Sequence, residues 1–447
     1  MIGFSMFSSN NRRTNIVKTN ILYSGIVKGI NILVTILLVP LTINYINAEL
    51  YGIWLSLSSI AAWFGFFDIG FGLGLRNRLT TAIALNKIKY GKVLVSSTYV
   101  FLLVIFSVVA ILASWGCTYV DWTYLLNVSP EYDGMITLSF QIVIIAFCLR
   151  MVLQIVSNVS QAFQKTALAN SIDMIGNMIS LILVYVLTKT LLPDLIYLSI
   201  VLCLSPIIAL IGANIYLFKG PFESVSPSAI YVRKFVIRDI ASLGSQFFLL
   251  QIVGIIVFQA TNFLISHYCG PEQVTVYNIA YKYLTVALMA FTIIQSPIWS
   301  AYNDAYAKND YEWMRSIYRK LIKILLLAEF VILLLVIISP IVYKIWIGDS
   351  VIIPFYITCL VGIYVGLSLI GSMHAMIVNG MGKIKLEMIT ALIQGIVYIP
   401  MVYYMASLWS INGILASLII ATFFSFPVVF LQVPKLLNQT ASGIYDK

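Results

Sequence analysis

The sequence predicts an all-α membrane protein: twelve transmembrane helices in two parallel six-helix lobes around a central cleft. Three observations carry that prediction: a composition no water-soluble surface could tolerate, a series of apolar runs long enough to span a bilayer, and a one-sided distribution of positive charge. Of the 447 residues, 61% are hydrophobic and only 10% charged, against about 25% charged in soluble domains. Mean hydropathy is +0.97. A bilayer tolerates such a surface, because the outer face of each helix can be apolar.

A spanning helix needs about 20 apolar residues. Such runs fall at 21–46, 52–75, 93–115, 136–156, 170–188, 195–218, 240–268, 274–300, 321–346, 354–378, 386–407 and 410–433. The seventh and eighth are diluted by Asn, Gln, Ser and Tyr, which suggests helices facing a wet interior. The first run is too long for the apolar part of a cleavable signal and reads as a span. The loops left over are short, so no large soluble domain fits.

Orientation follows from the Lys/Arg bias. With the N-terminus in the cytoplasm, only Lys189 and Lys344 fall on the far side, and Lys28, Arg150 and Lys282 fall within spans. The rest of the 27 Lys and Arg residues lie in cytoplasmic segments. This predicts a multi-pass protein of the bacterial plasma (inner) membrane with both termini cytoplasmic. It also explains the +10 net charge by proximity to anionic headgroups of membrane lipids, not by nucleic-acid binding.

The chain looks doubled. "AELYGIW" follows the first helix, and "GPEQVTVYNIA" follows the seventh about half a chain later. Each next helix runs into a basic loop, "LRNRLTTAIALNKIKYGK" and "SAYNDAYAKNDYEWMRSIYRK". Six helices per half give both halves one orientation, a parallel repeat with its substrate site between lobes. The lobes are expected at 1–219 and 239–447. Pro221, Pro227 and several Ser residues mark 220–238 as a linker.

Six ionisable residues lie within spans: Lys28, Asp68, Arg150, Asp173, Lys282 and Glu329. Each costs about 2.5–3.5 kcal/mol at the bilayer centre on insertion scales. Lys28 and Asp68 sit at matching depths, roughly 10 Å in, and could pair. Arg150 and Asp173 are matched near the cytoplasmic ends of their helices and read as a shallow pair. Lys282 has no acid at its own depth in the sequence, so it is expected to face water, an anionic ligand or the outer interface. Tyr281 beside it supplies a ring and a hydroxyl. Glu329 is deep and could exchange a proton or bind a cation, or only hydrogen-bond a neighbour.

In "DIGFGLGLRNRL", Gly70, Gly72 and Gly74 allow close approach or bending. Arg76 and Arg78 follow at the cytoplasmic mouth, as interface anchors or as groups that meet an anionic headgroup. Pro297 in "QSPIW" favours a kink near the inner end of the eighth helix. These are the candidate hinges. The five cysteines form no CxxC pair, and His267 and His374 are far apart. No metal or cofactor site is expected.

"VPLTINYINAELYGIW" followed by "FDIGFGLGLRNRL" resembles the polysaccharide transporters of the multidrug/oligosaccharidyl-lipid/polysaccharide exporter superfamily. "FQATNFLISHYCGPEQVTVYNIAYKY" followed by "QSPIWSAYNDAYAKNDYEWMRSIYRK" is similar to the second lobe of O-antigen flippases (Wzx-type). The resemblance covers essentially the whole chain. It implies a V-shaped cavity between two lobes and a flippase that moves a polyprenyl-diphosphate-linked oligosaccharide (an O-antigen, lipopolysaccharide, capsule or exopolysaccharide unit) from inner to outer leaflet. It further implies a cationic cavity for the diphosphate, matched here by Lys28, Lys282, Arg76 and Arg78, and a polysaccharide polymerase as a candidate partner. Asp68 and Glu329 are the candidates for ion coupling. The rivals are a cation-coupled multidrug exporter of the same fold and a membrane-bound glycan enzyme. The enzyme is disfavoured because the longest outer loop, about 116–135, carries Asp121, Glu131 and Asp133 but no His or Arg.

Overall fold

The computed structural model describes residues 12–65, 71–163, 165–236, 260–307 and 309–446. Within them the chain divides into two compact units, 1–252 and 253–447.

The first unit begins with α1 (Arg12–Ile46), which ends where Asn47 takes φ 88° and caps α2 (Ala48–Trp63) through Leu50 N–H. Asn tolerates that left-handed backbone, so the chain can turn in one residue. The helices α3 (Phe71–Ala84) and α4 (Ile88–Gly116) follow. A folded loop then holds the short α5 (Trp122–Leu126). Buried Trp122 anchors it, donating from Nε1 to the Cys117 carbonyl at 3.3 Å and packing on Phe140. Next come α6 (Asp133–Leu153), α7 (Ile155–Ala162), α8 (Thr166–Thr190) and α9 (Leu195–Phe218).

Partly buried amides and hydroxyls join these helices, because a polar group turned from water must find a partner. Asn177 donates to Asn31 at 2.8 Å, tying α8 to α1. Tyr99 donates to Asn214 at 2.6 Å, tying α4 to α9. Tyr45 at the end of α1 donates to the Leu192 carbonyl at 2.6 Å.

The Pro- and Ser-marked stretch expected as a linker, 220–238, is a docked strap over its described part. The hydroxyls of Ser96 and Ser97 on α4 accept from the N–H groups of Ser228 and Arg233 at 3.0 and 2.9 Å. Phe222 and Val225 are fully buried.

The second unit starts at α10 (260–269). Gly270, at φ 87°, turns the chain into α11 (Pro271–Ala307). The following helices are α12 (Tyr311–Trp346), α13 (Phe355–Met381), α14 (Lys385–Thr422) and α15 (Val433–Leu437). Helical geometry fails inside α14 at Trp409 and Ser410, where Ser410 has φ 49°. A Cβ on Gly413 would collide with the Met405 carbonyl. In a continuous helix residues eight apart stand about 12 Å apart, so the chain folds back here. The two runs read at 386–407 and 410–433 are therefore separate helices.

Among the described residues nine stretches are long and apolar enough to cross a membrane, and Lys385–Leu437 is one of them, folded back on itself. The predicted second and seventh spans run partly through residues outside the description and are helical where described. Neighbour relations recur in order. In the first unit α3 packs on α4, α4 on α6 and α2 on α6; in the second α11 packs on α12, α12 on α13 and α11 on α13.

Candidate functional site

The polar interior of the second unit is built around α11. Its apolar pattern is diluted where it meets α10 and α13. Asn278 on α11 donates to Asn262 on α10 at 2.8 Å. Thr261 on α10 pairs with the Tyr398 hydroxyl on α14 at 2.8 Å. Tyr281 stands between Tyr277 and Tyr364, with ring centroids 5.6 and 6.2 Å away and planes 20° and 27° apart. Lys282, the next residue, is half-buried. Tyr283 is buried and donates to the Leu335 carbonyl of α12 at 3.0 Å.

Glu329 lies at the midpoint of the 36-residue α12, about 27 Å along it from Tyr311. The buried row of that helix runs Leu321, Leu325, Ile332, Val336, and Glu329 occupies the gap in the row. Its carboxylate rests against Gly366 of α13, where a Cβ would stand 2.5 Å from Oε2. Oε1 is buried with no hydrogen-bond partner among the described residues. One turn of α13 away, Gly362 receives Val336 in the same way, 2.7 Å from where a Cβ would be. Glycines four apart let α12 and α13 approach closely, and the Gly366 notch is what admits a carboxyl to the seam.

Nearer the end of α13, His374 is buried. Its Nε2 meets the Tyr318 hydroxyl at 3.1 Å, and its Nδ1 lies 2.8 Å from the Ile370 carbonyl. Gln295 on α11 donates to Ser372 at 3.1 Å.

In the first unit the expected pair Arg150–Asp173 is present at 3.5 Å, with both side chains about half exposed. Lys28 lies on the exposed face of α1 between Ile26 and Ile30. Arg76 and Arg78 are half-buried on α3. The glycines Gly72 and Gly74 lie within α3, which continues through them. Asp68 and Gly70 lie outside the described residues, and with Asp68 goes its expected pairing with Lys28. Helix α11 continues through Pro297, whose side chain is outside the description. The structure thus gathers Tyr281, Lys282 and Glu329 in one unit, on α11 and α12. It adds Tyr364, Tyr398, Thr261 and His374, which the sequence reading did not single out. Their signal in sequence is polar residues within apolar runs.

Among the described residues no three His, Cys, Asp or Glu side chains gather as metal ligands. In the α4–α6 loop Asp121 is engaged locally: its Oδ1 accepts from Tyr124 N–H at 3.0 Å and from the Thr123 hydroxyl at 2.6 Å. Those bonds, the Thr123 hydroxyl first, hold its carboxyl below the usual range.

Comparison with solved structures gives the fold its relatives. An inward-facing multidrug resistance MATE family transporter of the MOP superfamily superposes with TM-score 0.74 and 14% identity, over 94% of this chain and 96% of that one. An outward-facing member gives 0.66 and 15%, over 95% and 97%. A Vibrio cholerae MATE transporter gives 0.62 and 12%, over 97% and 100%. At such identities the likeness is one of fold: a two-lobed, multi-pass membrane transporter fold. No curated protein sequence matches the chain. A family model described as "Polysaccharide biosynthesis protein" matches residues 17–303, from within α1 into α11 and so across both units. By that match the chain belongs to the polysaccharide biosynthesis protein family.

Proposed function

We propose that this protein is a flippase that carries a polyprenyl-diphosphate-linked oligosaccharide from the inner to the outer leaflet of the bacterial plasma membrane by alternating access, with both termini in the cytoplasm. The observation that carries the reading is a polysaccharide-biosynthesis family match laid on a transporter fold. A glycan pathway needs a transporter where a polar, membrane-anchored sugar must cross hydrocarbon that it cannot enter unaided.

In this reading the diphosphate is met by cations, Lys28, Arg76 and Arg78 from the first lobe and Lys282 from the second, since charge-assisted contacts to phosphate oxygens are the strong ones. Tyr281 lies beside Lys282 and offers a ring edge to the sugar. The carboxyls of Asp68 and Glu329 are the groups that would couple an ion to the cycle. Glu329 suits that task because a mid-membrane carboxyl with a buried, unpartnered oxygen gains much from a proton or a cation.

A second reading, a cation-coupled multidrug exporter, has in its favour that the superposing structures are multidrug transporters. Complementation separates the two. The gene is deleted in its host and restored as wild type or as Lys282→Ala, and surface polysaccharide and dye resistance are assayed. The flippase reading expects glycan to be lost, to return with wild type and to fail with a stably expressed Lys282→Ala. Untouched glycan with heightened dye sensitivity would hand the case to the exporter.

A further inference from the structure

A second polar feature of the second unit lies at the opposite end from its outer loops, on the side that the Lys/Arg bias assigns to the cytoplasm. Asn309, between α11 and α12, has φ 57°, and Gln439, after α15, has φ 59°. These two left-handed positions turn the α11–α12 connection and the segment after α15 toward each other. Between them is a pocket of about 380 Å³ lined by Tyr306, Asn309, Tyr311, Gln439 and Asp446, with Leu436 and Ala441 supplying the apolar floor.

Its walls are fixed from three directions. Lys383, from the α13–α14 turn, bonds the Asp446 carboxylate and the Asp446 carbonyl, each at 2.9 Å. The Asp446 contact, more than any other, raises the Lys383 ammonium above its usual range, and the Tyr306 phenol adds to it. Fully buried Gln432 donates to the carbonyls of Lys383 and Tyr445 at 2.8 and 3.2 Å. Lys435 stands 3.9 Å above the Tyr445 ring. Arg315 near the start of α12 donates to the Leu437 carbonyl at 3.0 Å. The segment after α15 is thus tied to all its neighbours, and the pocket between them is a built feature.

Two tyrosines meet edge to face, 6.2 Å between centroids. Around them stand two carboxamides and a carboxylate whose charge is already met by Lys383. The volume lies within the usual ligand range of about 300–1,000 Å³. Among the described residues the lining holds no cation, and Lys383 is engaged by Asp446, so the pocket offers little to a free phosphate. Aromatic faces suit the C–H side of a pyranose ring, and Asn, Gln and Asp supply both donors and acceptors to its hydroxyls. We propose that this pocket binds a neutral monosaccharide or disaccharide unit on the cytoplasmic side of the second lobe. The side assignment rests on the Lys/Arg bias, the saccharide chemistry on the pocket alone, and the pocket's part in transport on the flippase reading above. For a lipid-linked glycan the pocket would hold a sugar before translocation.

The test is saturation-transfer NMR on the full chain in lipid nanodiscs, since maltoside detergents carry sugars of their own. The probes are glucose, galactose, N-acetylglucosamine, rhamnose and maltose, with inorganic phosphate as competitor. The expected result is saturation of at least one sugar, reduced fivefold or more in Tyr306→Leu and in Gln439→Gly. The second variant keeps the left-handed turn while removing the amide. Size-exclusion profiles matching wild type show that both variants are folded. Absence of transfer to every probe, transfer that survives both variants, or displacement by millimolar phosphate would each overturn the proposal. Sugar binding without flipping of a polyprenyl-diphosphate glycan in vesicles would leave the pocket standing and remove the flippase. Flipping without sugar binding would do the reverse.

Discussion

Helices α8 and α9 cross where Gly176 faces Pro206, and replacing that glycine tests the packing of the first lobe. A Cβ at Gly176 would stand 2.9 Å from Pro206 Cα, 3.4 Å from its Cβ and 3.6 Å from the Ala209 Cβ. Carbon atoms rest at about 3.5–4.0 Å, so Gly176→Ala must part the helices by about 0.6–1 Å at the crossing. The obstructing atom belongs to the backbone, so no rotamer change relieves it. Overpacking of this size costs about 1–3 kcal/mol. Ala returns about 0.5–1 kcal/mol of helix propensity, leaving a net loss of up to about 2.5 kcal/mol, centred on about 1 kcal/mol. At about 2–4 °C per kcal/mol for a unit of this size, the apparent Tm of the purified protein should fall by a few degrees, read with a thiol-reactive dye at a fixed scan rate. Gly212→Ala on α9 is the control, because no atom lies within 4 Å of its Cβ. It gains the same propensity without the collision and should not fall. A Gly176→Ala protein as stable as wild type, or equal falls in both variants, would refute the close-approach argument.

Glu329→Gln should keep expression and Tm near wild type while abolishing glycan export, because it preserves shape and removes the titrating proton; export at the wild-type rate would remove Glu329 from coupling. Gly366→Ala pushes on the same carboxylate, so its cost should shrink when combined with Glu329→Ala, by about 0.5–3 kcal/mol of coupling, and strict additivity would count against the notch. The Arg150–Asp173 pair, half-exposed at 3.5 Å, should show a coupling of no more than about 1 kcal/mol in a double-mutant cycle; a value several times larger would mean it is shielded in a way its exposure does not suggest. Asp121 caps α5 with a lowered carboxyl pKa. Its stabilisation is therefore full above the unfolded value near 3.9 and is lost as pH falls through the lower folded value. Protection of the 122–126 amides, taken relative to the intrinsic exchange rate at each pH, should then be lower in strong acid than at about pH 6, and unchanged protection would contradict the cap.

Positions of the spans could be read from the sequence because length and apolarity report directly on a helix that must satisfy its own backbone in lipid. The fold-back at Trp409–Ser410 falls at the junction of the runs 386–407 and 410–433 for the same reason. Arg150–Asp173 was legible because depth along two helices is countable in residues. The strap was not legible. Pro and Ser in 220–238 report local backbone preference, while its docking depends on Ser96 and Ser97 presenting hydroxyls from α4, a register set by how that helix is rotated. Rotation is also what hid the surroundings of Glu329. Its depth could be estimated, but the facing residue comes from α13, and only the rotation of both helices brings Gly366 to it. A signal did exist. Gly362 and Gly366 stand four apart in "GIYVG", the spacing that marks a close helix contact. Glu329 and Val336 stand seven apart on α12, two turns of one face. Two small residues on one helix and a seven-residue step on the next define a seam whether or not a charge sits in it. A carboxyl at such a step, opposite such a pair, is placed where only a glycine can receive it. That gives Glu329 a fitted place in the seam between α12 and α13, with its carboxylate against Gly366.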